Sequence, residues 1–557
     1  MVTRRSFLSQ ASSAIALAGL GMAGVGVEGC SNEPSFIYTV APKNIAIAGL
    51  NNINVANIES LQPDDQLAFT ALQGLANKYR PQVYLTGILG SSVRADEEWL
   101  VNAVPFKAEQ LSVDQLLKLY TKVANGLVVW DPKLPVHTQN LATTLAGVQG
   151  LIPVSPKLSA KLTRAPYNLQ VHIDLRTKHF TGNQTAYRWA LSRMKAGTLY
   201  VPGPLSWIGN IRSDNTSTDP ALRDWIVAKQ GFAFEDYPDN ELKFLTTILN
   251  AFPTEPVVFG YLFYDDALYK KTGLALDEFI SVNAISADNK ALIASDSATN
   301  LTVHSSFAER QQKIPWDDTP HQPKPGITYI TFCVSDGDNV GYDLQRLRVS
   351  WWDDPLRGSI PMGFSISAWL PVLAPLVYQY YVKTMSAQET LIAGPSGAGY
   401  AYPSAMPDLT SYLKRTKYLM SLAGLGGVWI LDNKDMRSPS LATVKQYIDL
   451  LSPSVILTDY SGIPGPGANP PAISLLKGVP VAHATWASSV AGGVIGIHAT
   501  VAGQPPIGAG GNHFIFCAMN TWSTSYADAH QIMAKLGPGF EAVLLDQFCG
   551  LVKAALG

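Results

Sequence analysis

The chain is short of charge and of cysteine. Charged residues fill only 15% of its 557 positions, and the net charge is −2 because Lys and Arg (41) nearly balance Asp and Glu (43). With no basic block, the electrostatic footprint of a nucleic-acid binder is missing. Only four cysteines occur. Cys333 and Cys517 lie in apolar strand-like runs ("TYITFCV", "HFIFCAM") and Cys549 in a helix-like tail. With no metal spacing among them, buried free thiols are expected rather than a disulfide scaffold. The nine histidines contain no His-x-x-x-His pair, which removes the usual helical zinc arrangement. No cofactor motif appears, and after the first thirty residues no apolar run is long enough to span a bilayer.

What is present starts with an address. Arg4 and Arg5 precede Ser6-Phe7-Leu8, the twin-arginine export pattern, and a Gly/Ala-rich apolar stretch follows from Ala11 to Val25. It ends in Val27-Glu28-Gly29-Cys30, which resembles a lipoprotein cleavage site with Cys30 lipidated. Residues 1–30 are therefore expected to be a signal peptide, with 31–45 as a tether. The protein is expected across the bacterial inner membrane, periplasmic or at the cell surface, touching membrane only through a lipid on Cys30.

A cluster of prolines and charges at 308–326, "AERQQKIPWDDTPHQPKPG", separates two parts of similar size. Residues 46–307 read as an α/β domain, with helix-like "DDQLAFTALQGLANKY" before the short apolar strands "PQVYLTG" and "GLVVWD". Asp265 and Asp266 in this part read as a helix cap, and no catalytic constellation is visible. Residues 327–557 alternate more regularly. Eight strand-like runs, from "ITYITFCVS" to "FEAVLLD", are separated by stretches of helical apolar spacing. The expected fold is a C-terminal (β/α)8 TIM-like barrel after an N-terminal α/β domain, with an open doubly wound sheet as the alternative.

In either architecture chemistry collects after the strands. Asp336, Asp338 and Asn339 in "SDGDN" follow the first. Ser365 and Ser367 follow the second, and Ser396, Tyr400 and Tyr402 the third. Asp432, Asn433 and Asp435 follow the fourth, Asp459 and Tyr460 the fifth; then come His483 and Trp486, Asn520 and Trp522, and Asp546. Carboxylates, amides and aromatics with almost no positive charge suit a sugar. Asp336, Asp338, Asp432 and Asp459 are the catalytic candidates, because paired carboxylates can divide acid and base roles. Asn339, Tyr400, Tyr402, Trp486, Asn520 and Trp522 are candidates for binding substrate.

The stretch "GPSGAGYAYP", Gly394 to Pro403, fails the patterns it superficially suggests. Tyr402 stands where a dinucleotide fingerprint needs its third glycine, and no phosphate-loop lysine is present. Around Ser396 a nucleophile elbow would need glycine where Ala398 stands. An aromatic-bearing loop at the barrel mouth is expected instead.

The residues "GAGYAYP" (397–403) match the motif for which the GxGYxYP family of glycoside hydrolases is named. The likeness extends to "SDGDN", "SLAGLGGVWI" and "LGPGFEAVLLDQF" in the C-terminal part. In the N-terminal part it covers "LQGLANKYRPQVYL" and "VVWDPKLPVHTQNLATTLAG". The resemblance implies an exported enzyme acting on carbohydrate and carries no agreed catalytic residues. Two other readings are a metal-dependent carbohydrate deacetylase and a non-catalytic glycan-binding lipoprotein.

Overall fold

Among the described residues four separate sheets carry the chain, and every strand pairing except one hairpin is parallel. The computed structural model describes residues 42–134, 138–193, 208–210, 220–234, 238–252, 256–261, 276–432, 439–459 and 472–557. The signal, Cys30, Asp265, Asp266, Asn433, Asp435 and Tyr460 lie outside the described residues.

Residues 46–307 are built on three small sheets. The first orders β1 (Asn52–Asn57) between β2 (Val83–Thr86) and β3 (Lys107–Gln110). The second places β4 (Gly126–Val129) between β5 (Leu151–Val154) and β6 (Val171–Asp174). The third contains β7 (Ile208–Asn210), β8 (Phe232–Phe234), β9 (Val257–Gly260) and β10 (Ala291–Ala294) in the order β10-β9-β7-β8, so β10 is an edge strand. The predicted helix forms at Pro63–Asn77, where Pro63 begins the first turn and needs no amide partner. It packs on the helix Arg223–Lys229 closely enough that a Cβ on Gly74 would lie 2.4 Å from the Asp224 carbonyl.

The C-terminal part closes on itself. Strands β11 (Thr328–Val334), β12 (Met362–Ile366), β13 (Glu389–Ala393), β14 (Gly427–Ile430), β15 (Val455–Thr458), β17 (Val479–Ala487) and β18 (His513–Met519) form a parallel ring of seven. A short β16 (Ile473–Leu476) pairs antiparallel with β17. The expected eightfold barrel is corrected here. "FEAVLLD" supplies only β19 (Phe540–Ala542), which pairs with Thr328–Ile330 of β11, while Cys333 and Val334 higher on the strand pair directly with β12. The last helix starts at Leu545, too soon for a full eighth strand.

Apolar runs rather than clean alternation mark these strands because both faces are buried. The inner face is identified by Trp429 of β14, whose ring centroid lies 5.0 Å from that of Phe516 on β18, across the ring. The stretch 308–326 has no helix or strand, and it runs under the barrel at the beginnings of its strands. There Trp316 packs on Gly426, Gln312 donates its amide to Leu422 O, and Lys553 of the last helix pairs with Asp318 at 2.6 Å.

Candidate active site

The turn after β11 is held by contacts that leave no room for side chains. A Cβ on Gly337 would come within 2.0 Å of the Ser365 carbonyl carbon, and one on Gly394 within 2.4 Å of the Asp338 amide nitrogen. The turn therefore lies across the ends of β12 and β13. Ser365 Oγ accepts from Gly337 N at 2.9 Å and donates to Val334 O at 2.8 Å. Asn339 accepts from Tyr342 N at 2.9 Å and so caps the helix Val340–Leu344.

Asp336 occupies the left-handed region at φ +64°, a costly conformation for a residue with a side chain. The Ser335 hydroxyl donates to its carboxylate, and the nearby Trp522 indole favours the charged form. Burial nevertheless lifts its pKa above the ordinary carboxylate value. Trp522 itself is 54% exposed, so a carboxyl and an open aromatic face meet at the mouth. Asn520 shapes that turn by accepting from Trp522 N at 2.9 Å.

Asp338 is partly buried in the same turn, and its charge is felt by Asp343. Asp343, not anticipated above, is fully buried and accepts from Ser367 N at 3.0 Å. Burial, with the nearby Asp338 adding to it, pushes its carboxyl well above the usual range. One signal was readable: Val340, Asp343, Leu344 and Leu347 share a helical stripe, and a carboxylate on an apolar stripe is out of place.

Farther round the mouth, Asp459 is buried and accepts from Trp486 Nε1 at 2.6 Å. Trp486 is 36% exposed and rests 6.1 Å from Trp429. Asp432 is buried and accepts from Ser404 Oγ at 2.6 Å and from Ser404 N, bracing the turn after the motif. His483 does not join the mouth. It pairs with Thr458 on the outer face of β17, where burial lowers its pKa to about 4. Asp546 opens the last helix and accepts from Asp317 N.

The loop "GPSGAGYAYP" is not the open aromatic rim expected. Tyr400 and Tyr402 are 3% and 0% exposed, with their hydroxyls 3.0 Å apart. Tyr400 forms an antiparallel bridge with Leu292 of β10, N to O 2.7 Å one way and 2.8 Å the other. Tyr402 N donates to Ser286 Oγ at 2.9 Å. The loop thus covers the edge of the third sheet and joins it to the barrel. Glycine is required at 399, where φ is +108° and a Cβ would meet Leu292 O at 2.9 Å. Ser396 Oγ is spent on Ala401 O, Leu431 O and Leu431 N, which accounts for a buried serine without nucleophilic chemistry. Among the described residues no three His, Cys, Asp or Glu side chains gather to hold a metal ion, and the three cysteines are free and buried.

Three domain models of one family match the chain. "GxGYxYP putative glycoside hydrolase C-terminal domain" covers 326–553, "GxGYxYP third domain" covers 209–306 and "GxGYxYP_N second domain" covers 124–197. No curated protein matches. Among solved structures, a protein of Bacteroides thetaiotaomicron described as a "putative hydrolase" shares the fold with a TM-score of 0.73. It is 24% identical, and the match covers 91% of this chain and 96% of that one.

Proposed function

Because the chain belongs to the GxGYxYP family, described as glycoside hydrolases, we propose that it cleaves glycosidic bonds at the mouth of the seven-strand barrel by carboxylate acid–base catalysis. The observation that carries this reading is the pairing of Asp336 with Trp522. A sugar ring resting on the exposed indole would present its glycosidic oxygen beside a carboxyl whose pKa is raised by burial, the condition for a general acid. Asp338, two residues on, is the second carboxylate of the pair. Asp459 with Trp486 extends the sugar-facing wall, and Asp432 fixes the loop behind it.

The test is a glycan panel read by released reducing ends, using residues 31–557 and the variants Asp336→Asn and Asp338→Asn. Loss of at least roughly a hundredfold in turnover is expected from either, with melting unchanged. Full turnover in both folded variants removes the assignment, and glycan binding without turnover by the parent protein supports a binding lipoprotein instead. Export through the twin-arginine route with lipid on Cys30 belongs to the same proposal. Replacing Arg4 and Arg5 with lysines should retain the precursor in the cytoplasm, and Cys30→Ala should release the protein from the membrane fraction.

A further inference from the structure

We propose that a basic cleft in the N-terminal part is an accessory binding site for acidic glycans, chains that carry carboxylate or sulfate groups. The proposal rests on the reading of the chain as a carbohydrate-active enzyme. The cleft has a volume of about 550 Å³, and all of its lining lies within residues 114–167, so it is separate from the barrel mouth. Such a volume is within the ordinary range of ligand pockets and suits a short oligosaccharide.

Two helices form it. In Val113–Tyr120 the side chains of Leu116, Leu117 and Tyr120 are buried, while Asp114 and Lys118, four positions apart, share the outer face. In Pro156–Leu162 it is Leu158 and Leu162 that are buried. Lys157, Lys161 and, just past the helix end, Arg164 follow one another at helical spacing on the exposed side. Lys161 Nζ reaches Asp114 Oδ1 at 2.9 Å and joins the two faces. Tyr167, half-buried, also lines the cleft.

The charge of this lining is out of keeping with the chain. Over the whole sequence Lys and Arg (41) nearly match Asp and Glu (43), yet here four cations meet one carboxylate. That carboxylate is already taken by Lys161. Lys118, Lys157 and Arg164 are exposed and form no ion pair among the described residues. Asp65 on the neighbouring helix feels Lys157 but does not line the cleft. Surface cations are normally interspersed with anions, and three unpaired ones around a hollow make a field that draws in an anion. A lipid surface is flat and suits cations on a protruding face. A hollow that also holds a tyrosine suits a sugar chain, whose ring faces stack on aromatics. The barrel mouth presents Asp336, Asp338 and Asp459, which repel a polyanion. An acidic stretch of polymer is therefore held at the cleft, where it raises the local concentration of substrate.

The test is calorimetric titration of residues 31–557 at low salt with polygalacturonate fragments and, separately, with chondroitin sulfate. Fully methyl-esterified polygalacturonate, which keeps the rings and loses the charge, is the control. At least one acidic glycan should bind and the methyl ester should not. Lys157→Gln and Arg164→Gln should each weaken binding roughly threefold, and the double variant roughly tenfold. Melting should be unchanged, because both side chains are exposed. Asp336→Asn should bind like the parent. The proposal is overturned if neither acidic glycan binds, or if the methyl ester binds equally well. It is also overturned if the double variant binds like the parent, or if Asp336→Asn loses binding. Retention on phosphatidylglycerol vesicles that the double variant loses, without any glycan binding, would assign the cleft to a lipid surface instead. No turnover is read in this assay, so its failure and the failure of the glycoside hydrolase reading are told apart.

Discussion

Replacing Gly399 with alanine should open the seam between the third sheet and the barrel. At φ +108° an alanine is strained by about 1–3 kcal/mol. Its Cβ would lie 2.9 Å from Leu292 O and 3.2 Å from Ala291 Cβ, so relief requires the loop to withdraw from β10. Withdrawal sacrifices the reciprocal Tyr400–Leu292 hydrogen bonds, worth about 0.5–1.5 kcal/mol each. The local cost is therefore about 2–6 kcal/mol. Hydrogen exchange read by mass spectrometry suits this better than a melt, because a chain with several domains does not unfold in one step. Peptides containing Leu292 and Tyr400 should exchange at least roughly thirtyfold faster, tenfold for each 1.36 kcal/mol. Gly511→Ala is the control: Gly511 also has positive φ (+66°), but no atom lies within 4 Å of its would-be Cβ. Seam exchange as slow as in the parent would refute the close-approach argument. Destabilisation no larger than that of Gly511→Ala would reduce it to backbone strain alone.

Two buried groups should give stability opposite slopes with pH. Asp96 is raised to about 6 by burial, against 3.8 ordinarily, so the native state holds a proton the unfolded chain has lost; its contribution is present below pH 3.8 and is lost as pH rises through about 6, by roughly 3 kcal/mol. His304, stacked edge-on against Tyr84, is lowered by burial from 6.5 to about 4, so its contribution disappears as pH falls from 6.5 to 4, by a similar amount. Local opening free energies of the peptides around Asp96 and His304 are read by hydrogen exchange, corrected for the intrinsic pH dependence of exchange. They should lose the first slope in Asp96→Asn and the second in His304→Phe, and slopes that persist in both variants would contradict the assignment. The thiols of Cys333, Cys517 and Cys549 are fully buried, that of Cys517 being pushed up to about 12. A thiol reagent should therefore find none of them in native residues 31–557 and three after unfolding, and rapid labelling of the native protein would show that the core is open.

The strands were legible because a barrel strand is apolar on both faces, and runs such as "TYITFCV" stand out against polar turns. Closure was not, since whether "FEAVLLD" completes a ring depends on how many of its residues reach a partner strand more than two hundred positions earlier. The same distance limited the reading of the motif. Its pattern was enough to dismiss phosphate binding and a nucleophile, but the reason for Gly399 lies at Leu292 and could not be found locally. The sequence named Asp336 and Trp522, and Asp459 and Trp486, only as separate strand-end residues. The fold brings each carboxylate to its indole.

The N-terminal sheets help to hold the proposed site, although no sequence feature there suggests catalysis. Gln345, just past the helix that follows Asp336, donates to Asp96 of the first sheet region at 3.1 Å and to Thr299 near the third at 2.9 Å, and it accepts from Ser92 N at 2.8 Å. From the other side, the motif loop is tied to β10 at Tyr400 and, five residues before Gly399, presses Gly394 against the Gly337–Asp338 peptide. The turn bearing both leading carboxylates is thus gripped between two attachments to residues 46–307. A strained Asp336 persists only where its surroundings over-determine it, and a barrel alone would supply neither of those attachments. Catalytic geometry held to fractions of an ångström needs such a supporting shell. On this argument the described residues of the N-terminal half frame the proposed site, and the family's signature residues belong to that frame.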